Sequence, residues 1–228
     1  KNPQWTILTV EKFAATGGPS HKLLEDGSVL ISGENPDKST YNFATRSALK
    51  RITAIRLEGL THKSMQKNGP GRNKAPVTNP NFIVNKFALK AGGKPVKLVS
   101  ATASVSQINW HVNGAIDDDA KTGWGINPAF GKPAWAVFKL QEPLELAADA
   151  LLEFSIEQTF GGGRTIGRPR LSVIAADPSA LNLPSDIAKI LGKNKRTKKE
   201  GDKLEKHFLS EYPGLKAQEL KVLALNKQ

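Results

Sequence analysis

The 228-residue sequence has no cysteine and a single methionine. The absence of cysteine excludes disulfides, thiolate zinc sites, covalent haem attachment and a cysteine nucleophile within this segment. No apolar run approaches the roughly 18 residues that a membrane-spanning helix needs, so no membrane span is expected. The four histidines lack the spacing of a zinc or metalloprotease site. No serine lies in a Gly-x-Ser-x-Gly nucleophile elbow.

Acidic residues are outnumbered by basic ones, 21 against 33, which gives a net charge of +12. A basic protein attracts nucleic acid, anionic membranes or anionic polysaccharide, and charge alone does not distinguish these partners. The most basic run extends from Lys193 to Lys199. It has no interleaved aromatic residue and no base-reading motif, so we interpret it as a solvated helix connector and expect no specific nucleic-acid binding.

Residues 1–178 show strand-like patterns separated by turn clusters. From Leu152 to Glu157, apolar residues alternate with Glu and Ser, as in a half-buried antiparallel strand. Asp26-Gly27 lies between two apolar segments and predicts a hairpin turn. Together with the segments that flank this turn, the expected strands are Trp5 to Val10, Ile52 to Leu60, Phe82 to Leu89, Leu98 to Val105, Ala136 to Leu140, Leu151 to Phe160 and Leu171 to Ala176. About eight or nine short strands without intervening helices predict an all-β, jelly-roll β-sandwich.

Residues 179–228 have a helical period instead. Ser185 is expected to cap a short helix ending at Leu191, and a third helix is expected from Leu215. Between them, Thr197 and Glu200 have the spacing of a capping box. Leu204, Phe208 and Tyr212 then recur on one helix face. We therefore expect a sandwich domain over 1–178 and a helical segment over 179–228 that leads to a further domain.

The segment from Asn113 to Trp124 carries more specific information about the fold than the amino-acid composition does. It resembles the A-I-D-G-x-x-x-T-x-W loop of galactose-binding-like β-sandwiches, which include discoidin-type domains and many carbohydrate-binding modules. Ser100 to Ser104 before it and Pro133 to Phe138 after it are also similar to that family. Asp118 departs from the pattern, because glycine is usual there and tolerates positive φ more readily. The resemblance implies a jelly-roll sandwich that binds sugar, with Trp124 and Trp135 at positions that are usually core.

A wider set of segments resembles the middle part of large planctomycete-type surface proteins that carry a cytochrome c-like domain. These segments are Gly69 to Arg72, Asn79 to Phe82, Phe130 to Pro133 and Phe160 to Leu171. The resemblance implies an exported, extracytoplasmic parent, in the periplasm or at the cell surface, whose flanking domains are partners of this segment. The resemblance implies no particular catalytic activity. The family pattern has His at the position of Arg164.

Asp117, Asp119 and Thr122 are candidate ligands of a structural calcium ion. Calcium prefers six to eight oxygen ligands, and a tight loop supplies carboxylate, hydroxyl and carbonyl oxygens together. Many relatives hold calcium with this loop. The alternative is that the carboxylates cap turn amides and that Thr122 ties down the turn.

Trp110 and His111 are the candidate sugar-contacting residues, because they lie in the loop before the A-I-D segment. Aromatic faces suit the C–H surface of sugars, and nearby polar groups fix hydroxyls. Arg164 and Arg168, beside a glycine-rich turn, are candidates for an anion-facing rim. That turn lacks the Gly-Lys-Ser/Thr ending of a phosphate loop.

The sequence leaves three functions open. A non-catalytic carbohydrate-binding module, selective for acidic or sulfated polysaccharide, is the favoured one. An architectural module that docks flanking domains and binds no sugar is the alternative, motivated by Leu204, Phe208, Leu220 and Leu223. A jelly-roll glycoside hydrolase using Glu153 and Glu157 is the third, but Ser155 replaces the central Asp of the motif that it resembles.

Overall fold

The computed structural model describes residues 4–74, 76, 78–147, 149–176, 190, 193 and 196–211, with the side chains of 207–211 excepted. The chain divides into two compact units, residues 1–178 and 179–228, which are considered separately below. The expected helices after Ser185 and after Leu215 lie outside the described residues, apart from Ile190.

The described part of the first unit is built from β-strands. They are β1 Thr6–Ile7, β2 Val10–Ala15, β3 Ser20–Leu23, β4 Val29–Ser32, β5 Ser39–Arg46, β6 Arg51–Gly59, β7 Gly71–Arg72, β8 Ile83–Val84, β9 Lys86–Ala91, β10 Lys94–Val96, β11 Leu98–Ala103, β12 Trp124–Gly125, β13 Ala134–Glu145, β14 Leu151–Gln158, β15 Thr165–Ile166 and β16 Pro169–Ile174. Two short 3-10 helices, Gln66–Asn68 and Val112–Ala115, interrupt the strands. The prediction of a mostly β chain is therefore confirmed.

Two five-stranded antiparallel sheets form the body of this unit. The first sheet has the order β1-β16-β6-β13-β11, and the second has the order β10-β9-β14-β5-β2. Their inner faces share one core, in which Phe87 of the second sheet stacks on Phe138 of the first with 4.3 Å between ring centroids. The unit is thus a sandwich, with the apolar residues of each strand turned toward the opposite sheet.

The alternation predicted in β14 is present in the structure. Leu152, Phe154 and Ile156 are buried, whereas Glu153 lies on the outer face and is exposed. The turn predicted at Asp26-Gly27 connects β3 to β4, and the Gly27 amide donates to the Leu24 carbonyl. Gly27 has a φ of 76°, a conformation that favours glycine.

The sequence patterns missed β5, a central strand of the second sheet. Its residues are mostly polar or small, so it lacks the apolar run that marked the other strands. Tyr41 and Phe43 point inward and are buried, and Thr45 is also buried and donates to the Thr9 carbonyl at 2.6 Å. The backbone of β5 pairs with β14 on one side and with β2 on the other, and this pairing exists only in the assembled sheet.

The second unit contains the helix α1, Lys198–Glu211. The predicted capping box is confirmed, because the Thr197 amide donates to Glu200 Oε2 at 3.0 Å and the Glu200 amide donates to Thr197 Oγ1 at 3.3 Å. A hydrogen bond from Lys193 lowers the pKa of Glu200 to about 2. Over the residues described, no helix has the length and apolarity required to cross a membrane.

Candidate functional site

Trp110, Phe160 and Arg164 form a continuous row at the surface of the sandwich, which we call the loop surface. The rings of Trp110 and Phe160 meet edge to face with 4.9 Å between centroids. The Arg164 guanidinium carbon lies 5.0 Å from the Phe160 centroid, over the ring. The structure therefore brings together Trp110 and Arg164, two residues predicted from separate parts of the sequence.

Backbone hydrogen bonds fix the position of Trp110. Its amide donates to the Gln107 carbonyl at 3.0 Å, which closes a tight turn. The Gly125 amide donates to the Trp110 carbonyl at 3.1 Å, and the Gln107 amide donates to the Gly125 carbonyl at 2.8 Å. Because both ends of the turn bond to β12, the indole is presented from a defined backbone.

The glycine-rich turn that carries Phe160 and Arg164 is held from the side by Asp37. Its Oδ1 accepts from the Gly162 amide at 2.7 Å, and its carbonyl accepts from the Gly163 amide at 3.1 Å. Gly161, Gly162 and Gly163 have φ values of 101°, 67° and 65°, where side chains are strained. The glycines therefore serve the geometry of this turn, which leads from β14 to β15. The turn is not a hairpin loop, because β14 pairs with β5 and β9 whereas β15 pairs with β7.

Arg164 is half-buried, and the nearest carboxylate of its turn, that of Asp37, bonds to the Gly162 amide. Among the residues that the structure describes, no carboxylate forms an ion pair with its guanidinium. Stacking on Phe160 is worth about 0.5–1 kcal/mol at such a site and leaves the N–H groups free for an anion.

Asn85 connects the loop surface to the A-I-D loop. Its Oδ1 accepts from the amides of Thr159 at 2.8 Å and Phe160 at 3.0 Å. Its Nδ2 donates to the Thr122 carbonyl at 2.9 Å. Asn85 is only 6% exposed, so these bonds form where water does not compete. The sequence patterns gave no indication of this residue.

Thr122 lies at the centre of a cluster of acceptor oxygens in the A-I-D loop. Its Oγ1 is 2.8 and 3.0 Å from the two carboxylate oxygens of Asp117, 2.9 Å from the Asp119 carbonyl and 3.1 Å from the Gly114 carbonyl. A hydroxyl has one hydrogen, so it bonds to one of these oxygens at a time. Two of the four oxygens also accept from backbone amides, Asp117 Oδ1 from Asp119 and the Asp119 carbonyl from Thr122. One oxygen of the cluster is therefore left without a protein donor.

The same loop contains the turn-capping contacts of the alternative interpretation. Asp117 Oδ1 accepts from the Asp119 amide at 3.0 Å, and Asp119 Oδ1 accepts from the Lys121 amide at 2.9 Å. Asp118 adopts a φ of 63° in place of the usual glycine, and its carboxylate pairs with Lys86 at 2.5 Å. This hydrogen bond lowers the pKa of Asp118.

The oxygens around Thr122 fit the hard oxygen ligands that Ca²⁺ prefers. Over the described residues, no group of three or more His, Asp or Glu side chains is placed to hold a metal ion. A calcium ion would accordingly depend on the Asp117 carboxylate and on backbone carbonyls, and calcium binding stays a prediction.

His111 is exposed beside Trp110 and begins the 3-10 helix Val112–Ala115. Its Nδ1 accepts from the Asn113 amide at 3.4 Å. This hydrogen bond makes His111 the cap of the short helix. Contact between His111 and a ligand stays a prediction.

Arg168 is occupied by protein partners. Its Nε donates to Ser28 Oγ at 2.9 Å, and its two terminal nitrogens donate to the Thr61 carbonyl at 3.0 Å and to the Asp26 carboxylate at 2.7 Å. The structure thus assigns Arg168 to an internal network, and we leave it out of the loop surface.

Glu153 and Glu157 lie on the outer face of β14, four residues apart. An extended strand separates such positions by about 13 Å between Cα atoms, beyond the carboxylate separations of retaining and inverting glycosidases. Each Glu faces a lysine of β9 across the strand pair, Lys90 and Lys86 respectively. This arrangement gives the hydrolase interpretation no support.

Phe160 is the member of the loop surface that sequence reasoning missed. The sequence pattern places it at the end of the expected strand from Leu151 to Phe160, although the residue is 43% exposed. The available signal was an aromatic residue placed directly before three glycines, where a strand gives way to a tight turn. Of the two tryptophans that the resemblance places at core positions, Trp124 is fully buried, whereas Trp135 is only half-buried and lies beside Arg56.

The chain matches no protein-family model, no curated protein and no solved structure, so the geometry of the loop surface carries the functional argument.

Proposed function

We propose that the sandwich is a non-catalytic carbohydrate-binding module of the galactose-binding-like, jelly-roll type. In this proposal it belongs to a larger exported protein, and its ligand binds at the loop surface. The observation that carries the proposal is the row of Trp110, Phe160 and Arg164, in which two partly exposed aromatic rings adjoin an unpaired guanidinium.

The chemistry of this row suits an anionic sugar. Aromatic rings cover the C–H faces of a pyranose, while a planar guanidinium binds carboxylate or sulfate through two parallel hydrogen bonds. The net charge of +12 attracts a polyanionic chain from a distance. We therefore propose an acidic or sulfated polysaccharide as the ligand class.

A calcium ion is part of the proposal as a structural element. Asp117 and the carbonyls of Gly114 and Asp119 would hold it beside Thr122. The ion would stiffen the A-I-D loop, and Asn85 bonds to both this loop and the backbone of Phe160. The protein residues alone contact sugar in this arrangement.

Native gel electrophoresis in neutral, carboxylated and sulfated polysaccharides tests the proposal. The wild-type protein is expected to be retarded by an anionic polysaccharide at moderate salt. Trp110→Ala and Arg164→Ala are each expected to weaken retention about tenfold, corresponding to about 1.4 kcal/mol. Trp135→Ala is the matched control, because Trp135 is also half-buried and contacts an arginine, Arg56, outside the loop surface.

Two results would contradict the proposal. Retardation by every polyanion that moderate salt abolishes would mean that net charge alone is responsible. Absence of retardation would favour the architectural module, in which the sandwich docks against flanking domains of the parent.

A further inference from the structure

Side chains from four strands meet around the hydroxyl of Tyr41, where β5 begins and β14 ends. Tyr41 is fully buried, and its hydroxyl donates to the Ile166 carbonyl of β15 at 3.2 Å. The side chains of Thr165 on β15, Arg72 on β7 and Gln158 on β14 lie close enough to this hydroxyl to affect its ionisation. The register also places Arg72 opposite Thr165, so these polar side chains share one region of the sandwich.

Gln158 has one donor without an acceptor. The residue is only 1% exposed, and its Oε1 accepts from the Ile166 amide at 2.6 Å, which fixes the orientation of the side-chain amide. Over the described residues, the buried Nε2 has no hydrogen-bond partner. Buried N–H groups are nearly always hydrogen-bonded in folded proteins. This amide therefore indicates an acceptor that the described part of the chain does not supply.

Arg72 has a second donor of this kind. Its Nη2 donates to the carbonyls of Gly33 at 2.8 Å and Glu34 at 3.0 Å, which hold the guanidinium in place. Its Nη1 is buried and has no partner among the described residues. In that part of the chain, no carboxylate forms an ion pair with this guanidinium either. A positive charge in such a place is costly unless a negative charge accompanies it.

Tyr41 does not supply this negative charge. Burial raises the pKa of its phenol above the ordinary value of 10.0 and outweighs the opposing effects of Thr165 and Arg72. The phenol is therefore neutral at neutral pH. Two N–H donors and one positive charge remain unmatched, and together they suit a small monovalent anion.

A water molecule matches these groups less well than an anion. A water that accepts from both N–H groups must also donate two hydrogens. The nearby carbonyls of Gly33, Glu34 and Ile166 each accept a hydrogen bond already. Water also leaves the guanidinium without a counterion. A multivalent oxyanion brings more charge than one arginine balances and more acceptor oxygens than two donors satisfy.

We propose that Arg72 Nη1 and Gln158 Nε2 bind a chloride ion in the interior of the sandwich. The ion neutralises the guanidinium and connects β7 to β14, two strands that do not pair with each other. The inference concerns a structural ion and does not depend on the function proposed for the loop surface.

Thermal unfolding of the full chain in sodium chloride and in sodium gluconate tests the proposal, at equal ionic strength and neutral pH. Chloride at about ten times its dissociation constant is expected to raise the melting temperature of the wild type by about 3–6 °C, and the rise should saturate. Gluconate screens charge equally but is too large for the site, so the difference reports specific binding.

Two substitutions at the site should abolish this difference. Arg72→Met removes the charge and the Nη1 donor. Gln158→Glu puts a carboxylate oxygen in place of Nε2, so the chain itself supplies the negative charge. In gluconate this variant should be at least as stable as the wild type. Arg51→Met is the matched control, because Arg51 pairs with Glu145 at an exposed position and its loss should leave the response to chloride unchanged.

The proposal is overturned if the wild type melts at the same temperature in both salts, a result that would assign the two donors to a buried water. It is also overturned if Gln158→Glu keeps the full response, because a general salt effect then explains the rise. This variant decides the question if Arg72→Met does not fold.

Crystals grown in sodium bromide provide a direct second observation. An anomalous peak is expected within hydrogen-bonding distance of both nitrogens, and its absence would contradict the proposal. A peak without any response of the melting temperature would mean binding at crystal concentration only, which also overturns it.

Discussion

The guanidinium of Arg168 donates to the carboxylate of Asp26 at 2.7 Å and joins two residues that are 142 positions apart in the chain. Ser28 and Thr61 accept two further hydrogen bonds from the same side chain. An arginine bonded in this way stabilises the packing of loops against strands. Most of its N–H groups donate to acceptors within the protein.

Asp26 is expected to make stability depend on pH. Burial raises its pKa, but hydrogen bonds from Ser28 and the charges of Arg168 and Arg170 outweigh burial and hold it below the ordinary value of 3.8. A lowered folded-state pKa contributes stability above the unfolded value, and this contribution is lost as pH falls through the folded pKa.

Urea unfolding of Asp26→Asn at several pH values measures this contribution. The variant should be less stable than wild type at neutral pH by under about 1 kcal/mol, because the carboxylate is 37% exposed. The difference should shrink from about pH 4 downward. A difference that stays constant down to pH 2 would contradict the lowered pKa.

Arg170 is expected to contribute more than an exposed arginine. It donates to both oxygens of Glu58, at 2.7 and 3.1 Å, and the Glu58 side chain is only 8% exposed. Arg170→Ala leaves this carboxylate with Arg56 as its remaining partner, so we expect a loss of about 2–3 kcal/mol in urea unfolding. Arg51→Ala is the matched control, since its pair with Glu145 is exposed and should be worth under about 1 kcal/mol. Equal losses in both variants would contradict this prediction.

Substitution of Trp124 should lower the free energy of unfolding, whereas substitution of Trp110 should affect mainly ligand binding. Trp124 is fully buried, packs edge to face on Phe82 at 4.9 Å, and donates from Nε1 to the Val105 carbonyl at 2.8 Å. Trp124→Ala should cost about 3–5 kcal/mol in chemical unfolding. Trp110→Ala should cost about 1 kcal/mol or less, because its ring is partly exposed. A large stability loss in Trp110→Ala would make it unsuitable as a binding variant, and Arg164→Ala would then carry the test.

Asn85 is expected to stabilise the protein by linking two loops, so its removal should lower the free energy of unfolding. Asn85→Ala leaves the amides of Thr159 and Phe160 and the Thr122 carbonyl without their partner in a buried place. We expect a loss of about 2–4 kcal/mol in urea unfolding. Asn42→Ala, at an exposed position of β5, should change stability by about 0.5 kcal/mol or less. If the two variants are equally stable, the link through Asn85 is not important.

Calcium is expected to raise the melting temperature through Asp117. At a free concentration about 100-fold above the dissociation constant, one bound ion adds about 2.7 kcal/mol. In a domain of this size, that corresponds to a rise of about 5–10 °C over the value in chelator. Asp117→Asn should abolish the rise, whereas Glu145→Gln, which is 72% exposed, should keep it. No rise in millimolar calcium would leave Asp117 as a cap of turn amides.

Much of the fold could be predicted from local patterns. The alternation in β14, the turn at Asp26-Gly27 and the capping box at Thr197 all appear where the sequence places them. Each depends on contacts between residues a few positions apart, which a sequence window contains. β5 escaped prediction because its stability comes from the two strands beside it.

The candidate site was only partly predictable. Trp110 and Arg164 were identified as separate candidates, but their neighbour Phe160 and the linking residue Asn85 were not. Arg168 looked equivalent to Arg164 in the sequence, since both follow the same glycine-rich turn. The structure distinguishes them, because one guanidinium stacks on an exposed ring and the other bonds to Asp26.

The sequence by itself determined the secondary structure of most strands, the basic charge, the turn at Asp26-Gly27 and the capping box at Thr197. These properties follow from side-chain periodicity, from composition and from hydrogen bonds that span a few residues. The tertiary structure alone decided which loops meet at the loop surface and which side chains lie side by side across β2, β5, β14 and β9. Strand register and loop contacts join residues far apart in the chain, so they depend on how the whole core packs.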